Sequence, residues 1–185
     1  MKKMHILLMS FALISLLIWG CGKPTNPVDV PLSEDNSGVS SLAKHFDGSS
    51  VYELVVDTPL NWFAANAAAR RMVAPGCRSA HLATITSQGE QDIVDDLMAG
   101  VTDNNAWLGG FQPRGELSLE DGWRWSTGPR WVYTNWAGGE PNDNPFGTFI
   151  PGSEQNLETL RGSGDWNDAP GFETKFLIVE SEHCN

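Results

Sequence analysis

The chain has 185 residues, with 12 Lys and Arg against 23 Asp and Glu and a formal net charge of −11. Its length suits one folded domain with additional segments. The excess of acidic residues argues against nucleic acid as a partner and against electrostatic attachment to anionic lipid.

Residues 1–20 have the pattern of a targeting segment. A basic start precedes an almost unbroken apolar run over residues 6–19, which is too short for a comfortable membrane span. The run ends at Gly20 and Cys21, and this junction resembles a bacterial lipoprotein signal, in which a small residue precedes the Cys that carries the lipid. The alternative is an ordinary secretion signal cut elsewhere. The resemblance implies a membrane anchor on Cys21 and, with Gly22 rather than an acid next to it, the outer membrane of a bacterial cell envelope.

Residues 21–49 are predicted to be a flexible tether that begins with the lipidated Cys. They contain Pro24, Pro27 and Pro31 with several Ser and mixed charge. The folded domain is therefore predicted over residues 50–185.

The first elements of that domain are a strand and a helix. Val51–Val56 is rich in β-branched residues, which favours a strand. Thr58 offers an N-cap and Pro59 suits a first helical position. Apolar residues then recur at helical spacing, so a helix is predicted over residues 59–73.

A second strand and a second helix follow. His81–Ile85 is predicted to be a short strand, and His81 is either a metal ligand or a hydrogen-bonded structural residue. The structural role is favoured because no His or Cys lies at ligand spacing from it. Ser87 and Glu90 form a capping box that opens a helix ending near Ala99.

The second half of the domain is predicted to be strands and one long loop. Trp123 and Trp125 fall on one face of a strand, where they either fill the core or stack on sugar rings; the core is favoured. Lys175–Val179 is predicted to be a buried closing strand. The fold class is therefore α+β, with two helices, short antiparallel sheets and a long loop region.

The loop region between Trp136 and Asp168 concentrates oxygen ligands among Gly, Pro and Asn. Ca²⁺ takes six to eight such oxygens in flexible geometry. Pro141 fixes the backbone between two polar residues, and its peptide bond can be cis. The alternative is a set of surface turns that needs no metal.

Several motifs in this chain resemble the C-type lectin family over residues 50–182. Glu140-Pro141-Asn142 and a later Trp166-Asn167-Asp168 carry the resemblance most strongly. The other motifs, in the order of the family, are His81-Leu82-Ala83-Thr84-Ile85, Trp107-Leu108-Gly109-Gly110 and Trp123-Arg124-Trp125. The resemblance implies a C-type lectin-like fold with a calcium-binding loop region.

The resemblance also implies a ligand set. The family's Ca²⁺ ligands match Glu140, Asn142, Glu154, Asn167 and Asp168, and the sugar-binding residues match the first four of these. Glu154 is assigned over Glu158, because Glu158 is expected on the outward face of a strand.

In the family, Glu-Pro-Asn accompanies mannose-type sugars, so the resemblance implies calcium-dependent binding of mannose-type glycans by a lipid-anchored protein that is not an enzyme. A lectin-like domain for protein contact or surface adhesion without sugar is the alternative. A glycosidase that uses Glu140, Glu154 or Asp168 is a third hypothesis, but these acids are better explained as ligands.

The family usually ties the end of its first helix to its last strand by a disulfide. The resemblance therefore implies a bond between Cys77 and Cys184, with two free thiols as the alternative. The family's second disulfide is absent, because Asn156 stands where one of its Cys residues would be.

Overall fold

The structure is a computed structural model that describes residues 41–46 as backbone, and residues 48–144 and 147–185 with their side chains. The predicted signal segment, Cys21 and most of the predicted tether lie outside the described residues. Within the described part, neither helix is long and apolar enough to cross a membrane.

Two helices and eight strands form an α+β fold, as predicted. The helices are α1 (Trp62–Ala69) and α2 (Gln88–Met98). The strands are β1 (Ser41–Phe46), β2 (Ser50–Leu60), β3 (Ser79–Leu82), β4 (Ala106–Phe111), β5 (Arg124–Trp125), β6 (Asn156–Thr159), β7 (Trp166–Ala169) and β8 (Lys175–Glu182).

All eight strands belong to one sheet, whose main order is β1-β2-β8-β4-β6-β7. β3 pairs with β8 and β5 pairs with β4. The pairs are antiparallel except for β4 with β8, which run parallel. The strands therefore form a single mixed sheet, in which β8 joins the first half of the domain to the half that carries the loop region.

The sheet begins earlier than the sequence suggested. β1 lies inside residues 21–49, the predicted tether, and pairs antiparallel with β2 from Ser41 opposite Val55 to Phe46 opposite Val51. The boundary at residue 50 is therefore wrong, and the folded domain includes Ser41. Composition did not reveal this strand because its place depends on pairing with β2.

Helix α1 begins later than predicted, and its cap is Asn61 rather than Thr58. The Asn61 side chain accepts a hydrogen bond from the Ala64 N–H at 2.9 Å. Thr58 and Pro59 lie in β2, where the register with β8 is irregular between Val55 and Leu60. That irregularity accommodates Pro59, which has no N–H to donate to a regular ladder.

Helix α2 begins with the predicted capping box. The Ser87 side chain accepts from the Glu90 N–H at 3.3 Å, and Glu90 Oε2 accepts from the Ser87 N–H at 3.0 Å. The helix buries Ile93, Val94 and Leu97 in the hydrophobic cluster that it shares with the sheet.

Trp123 and Trp125 belong to the core, as the sequence favoured. They are 5% and 3% exposed and pack in one hydrophobic cluster with Trp166, which is fully buried. Stacking of the first two rings on sugar is therefore ruled out in this fold.

Two glycines of β4 let neighbouring strands approach closely. A Cβ on Gly109 would lie 2.7 Å from the Leu82 carbonyl oxygen, and one on Gly110 would lie 2.7 Å from Leu157 Cδ2. Both separations are too short for a side chain, so Gly109 lets β3 and Gly110 lets β6 lie close against β4.

Cys77 and Cys184 form a disulfide, which confirms the pairing implied by the resemblance. The bond closes the domain, since Cys77 follows α1 and Cys184 follows β8. At the place of the absent second disulfide, the buried Asn156 side chain lies so close to Gly171 that a Cβ there would collide with Asn156 Oδ1.

Candidate functional site

The two ends of the loop region are held together by Trp136 and Trp166. The two residues form a parallel β-bridge. The Ala137 N–H donates to the Trp166 carbonyl at 2.9 Å, and the Trp166 N–H donates to the Asn135 carbonyl at 2.8 Å. The two rings meet edge to face with their centroids 5.8 Å apart. Trp136 and Trp166 therefore anchor the two ends of the loop region.

Glu140, Pro141 and Asn142 form one side of the candidate site. The Glu140–Pro141 peptide bond is cis. The Asn142 side chain hydrogen-bonds to the Glu140 carboxylate. The other Glu140 oxygen, Oε2, is buried and has no hydrogen-bond partner among the described groups.

Asp168 joins this turn to the sheet. It lies in β7 opposite Leu157 of β6 and is 1% exposed. Its oxygens accept from the Asn142 N–H at 3.0 and 3.1 Å, and its Oδ2 accepts from the Asp143 N–H at 2.8 Å. One buried carboxylate therefore sets the position of the Glu-Pro-Asn turn.

Asp143 returns the loop to Glu154. Its Oδ1 accepts from the Glu154 N–H at 2.9 Å, and its Oδ2 accepts from the Gly152 N–H at 2.6 Å. Asp143 is 1% exposed and adopts a positive φ of 49°. Its two hydrogen bonds hold Glu154 next to the Glu-Pro-Asn turn, although a long segment separates Glu154 from that turn in sequence.

Three carboxylates now share a small buried space. Burial, and then the charge of Asp168, raises the pKa of Glu140 to about 7. The same two causes raise the pKa of Glu154 to about 8. Burial also raises the pKa of Asp168, against the lowering effect of the N–H groups of Asp143 and Asn142.

This donor set fits a hard divalent cation. Like charges and desolvation disfavour ionisation of all three carboxyls, and a bound cation offsets both effects. The buried, unpartnered Glu140 Oε2 is an oxygen that a cation would satisfy. Carboxylate and carboxamide oxygens are what Ca²⁺ takes, whereas a site without His or Cys suits zinc less well.

Asn167 precedes Asp168 in β7, and its amide nitrogen is engaged by two other groups. Asn167 Nδ2 donates to Glu158 Oε1 at 2.8 Å and to the Asp168 carbonyl at 2.7 Å. Both of its protons are therefore used, and Oδ1 is the atom left to face a cation.

Glu158 is buried, which corrects the expectation that it lies on an outward face. It is 2% exposed, and Lys175 Nζ lies 2.6 Å from its Oε2. β6 is buried along its whole length, so the alternation of inward and outward residues does not apply. Sequence reasoning therefore missed that the Glu158–Lys175 ion pair orients Asn167.

A cleft of about 740 Å³ lies beside the loop region rather than at the carboxylates. Its lining includes Phe63, Phe111 and Phe172, and it reaches Ser153 and Gln155 on either side of Glu154. None of the five expected calcium ligands lines it. The site is therefore defined by the converging oxygens and not by this cleft.

The fold and the loop region define a C-type lectin domain, and residues 59–175 match the family model for the lectin C-type domain. Because this match covers more than half of the chain, the protein belongs to the C-type lectin domain family. Members of this family bind carbohydrate without catalysis, in general with calcium.

Individual relatives agree with this assignment. The chain is 38% identical over 88 residues to the low affinity immunoglobulin epsilon Fc receptor of Mus musculus, a match over 48% of this chain that spans only 22% of the receptor. The structure of the C-type lectin CEL-I from Cucumaria echinata has a TM-score of 0.61 at 19% identity, over 76% of this chain and 95% of CEL-I. The C-type carbohydrate-recognition domain of cow CD23, determined in the presence of a GlcNAc2Man3 oligosaccharide, has a TM-score of 0.56 at 25% identity, over 76% and 94%.

The raised pKa values predict how stability without calcium depends on pH. A carboxyl whose folded pKa is raised contributes stability below its ordinary pKa of 4.5 and loses it as the pH rises through about 7 for Glu140 and about 8 for Glu154. In chelator, the Glu154→Gln variant is therefore expected to gain stability relative to wild type as pH rises through this window, by on the order of 1 kcal/mol. Urea unfolding at several pH values measures the difference.

The exposed Glu120→Gln variant is the control, since it removes one negative charge outside the cluster. If the free energies of unfolding of wild type and Glu154→Gln differ by the same amount at every pH in the window, the raised pKa of Glu154 is contradicted.

Proposed function

We propose that this protein binds mannose-type carbohydrate through a calcium ion held by its loop region. The observation that supports this most is that three carboxyls at the cis Glu140–Pro141 turn, two of them buried, have raised pKa values. Family membership makes carbohydrate the expected ligand class.

The proposed ligands are the five that the resemblance indicated. Carboxylate oxygens would come from Glu140, Glu154 and Asp168, and carboxamide oxygens from Asn142 and Asn167. Calcium would supply a positive centre to which two neighbouring sugar hydroxyls bind. The protein would do no covalent chemistry on the sugar.

Specificity would come from the polarity of the Glu-Pro-Asn turn. An ionised Glu140 can only accept a proton from one hydroxyl, whereas the Asn142 amide can donate to the other. This order favours mannose-type sugars with adjacent equatorial hydroxyls. Since both protons of the Asn167 amide are engaged, the proposed sugar contact of Asn167 requires that its bond to Glu158 or to the Asp168 carbonyl be released.

Calcium is expected to stabilise the domain, because a ligand that binds only the folded state adds about 2.7 kcal/mol at a hundredfold excess over its Kd. The melting temperature should rise with Ca²⁺ and fall with chelator. Asp168→Ala should abolish the response, whereas Glu120→Gln should retain it. Wild-type melting that ignores millimolar Ca²⁺ would show that the loop region is not a calcium site.

Mannose is expected to outcompete galactose, with monosaccharide affinity in the millimolar range, or about 4 kcal/mol. Elution of the calcium-loaded protein from immobilised mannose by each free sugar measures the order. The double variant Glu140→Gln, Asn142→Asp reverses the polarity of the turn and should shift the preference toward galactose. A mannose preference that survives this reversal would refute the proposed role of the turn.

A second candidate function is protein contact, and an apolar rim beside the loop favours it. Leu117, Phe149 and Ile150 are 64%, 56% and 46% exposed. Leu117 lies near Gly152, which places it next to the returning loop. Glycan arrays with and without chelator separate the two functions, since a surface for protein contact alone gives no calcium-dependent glycan signal.

We also propose that Cys21 is the mature N-terminus and carries lipid, which would place the protein in a bacterial cell envelope, on the outer membrane. This rests on the apolar run and the Gly20-Cys21 junction. Mass spectrometry of the protein from its native host should find a diacylated or triacylated N-terminal Cys. An unmodified N-terminus at another residue would refute it.

A further inference from the structure

His81, Glu180 and Glu182 form a cluster on β3 and β8, away from the strands that carry the calcium ligands. His81 lies directly opposite Glu180 in the β3–β8 ladder, and Glu182 is two residues further along β8 on the same face. In the main strand order, β4 separates β8 from β6 and β7. The cluster is therefore distinct from the loop region.

One nitrogen of His81 is satisfied and the other is not. Nδ1 lies 2.9 Å from the Leu82 carbonyl oxygen, and since that oxygen can only accept, Nδ1 carries the proton. Nε2 is buried without a hydrogen bond among the described groups, although His81 is only 7% exposed. Nε2 points at Glu182 Oε2, 3.4 Å away.

A neutral imidazole nitrogen and a carboxylate oxygen are both acceptors, so their contact in a buried place is unfavourable without a positive charge between them. A proton on Nε2 would supply that charge, and so would a metal ion. The two cases differ in what surrounds His81 and Glu182. Here a buried carboxylate, Glu180, lies beside the imidazole with its Oε2 3.9 Å from Nδ1. One ligand atom from each of the three residues lies within 4.8 Å of the others.

We propose that His81, Glu180 and Glu182 bind a divalent transition metal of the zinc class. Zinc bonds of roughly 2.0–2.2 Å in tetrahedral geometry put neighbouring ligand atoms roughly 3.3–3.5 Å apart, and Nε2 and Glu182 Oε2 already have this separation. An imidazole nitrogen with two carboxylates suits zinc and its neighbours better than Ca²⁺, which takes oxygen ligands.

The surroundings of the three ligands also match those of metal sites. A ligating His usually donates its other N–H to a backbone carbonyl or carboxylate, as His81 does to Leu82. Glu180 is oriented by the Tyr52 hydroxyl at 3.0 Å and the Thr84 N–H at 3.0 Å. The Glu182 side chain is 40% exposed, which leaves a path from solvent for the ion and room for a water as a further ligand.

The test is Co²⁺ titration of the full chain in detergent with Ca²⁺ at saturation, followed by visible absorption, and then displacement of Co²⁺ by Zn²⁺. One equivalent of Co²⁺ should give a visible band that Zn²⁺ removes. His81→Gln and Glu182→Gln should each weaken Co²⁺ binding by at least about tenfold. Glu182→Gln changes a partly exposed side chain, so it keeps the test valid if His81→Gln fails to fold.

His183→Gln is the matched control, because it removes an exposed neighbouring imidazole. It should bind Co²⁺ as wild type does. Binding of one equivalent that survives His81→Gln or Glu182→Gln, or no binding of one equivalent by wild type, overturns the proposal. Failure of calcium or sugar binding would not affect this result.

Discussion

The loop region depends on one buried carboxylate. Asp168 sits on the last strand of the sheet and accepts the N–H groups of Asn142 and Asp143, so the sheet positions the turn through hydrogen bonds to backbone rather than through apolar packing. Asp143 acts in the same way, since its carboxylate accepts hydrogen bonds from the N–H groups of Gly152 and Glu154. Two carboxylates in series therefore shape a segment that is rich in Gly, Pro and Asn and that leaves Phe149 and Ile150 exposed.

This construction has an electrostatic cost. Hydrogen bonds from N–H groups stabilise ionised Asp168, but the nearby Glu140 and Glu154 have their pKa values raised by burial and by the charge of Asp168. The carboxylates that shape the loop therefore also make a site in which a bound cation would offset burial and like charge. Burial also raises the pKa of Glu158, but there the opposing positive charge comes from Lys175, and the resulting ion pair orients Asn167.

Motif order was sufficient to predict the fold class and the disulfide, and a capping box was sufficient to predict the second helix. The five-residue calcium site stays a prediction. Pairing between distant strands was not readable from local patterns. β1 exists because β2 lies beside it, Pro59 is tolerated in β2 because the ladder with β8 is irregular there, and Glu158 is inward because β6 is covered on both faces. His81 showed no partner in sequence because Glu180 and Glu182 reach it only through the β3–β8 register.

The strand order has a mechanical consequence. All residues before Ser41 connect to the domain through β1, which stands at one end of the main order, while β7 and its Asp168 stand at the other. Tension that arrives through the N-terminal segment is therefore borne first by the β1–β2 ladder and next by β2–β8. A force large enough to separate β1 from β2 would leave β4, β6 and β7 paired. The strand that carries Asp168 would therefore keep its place after the edge strand had separated.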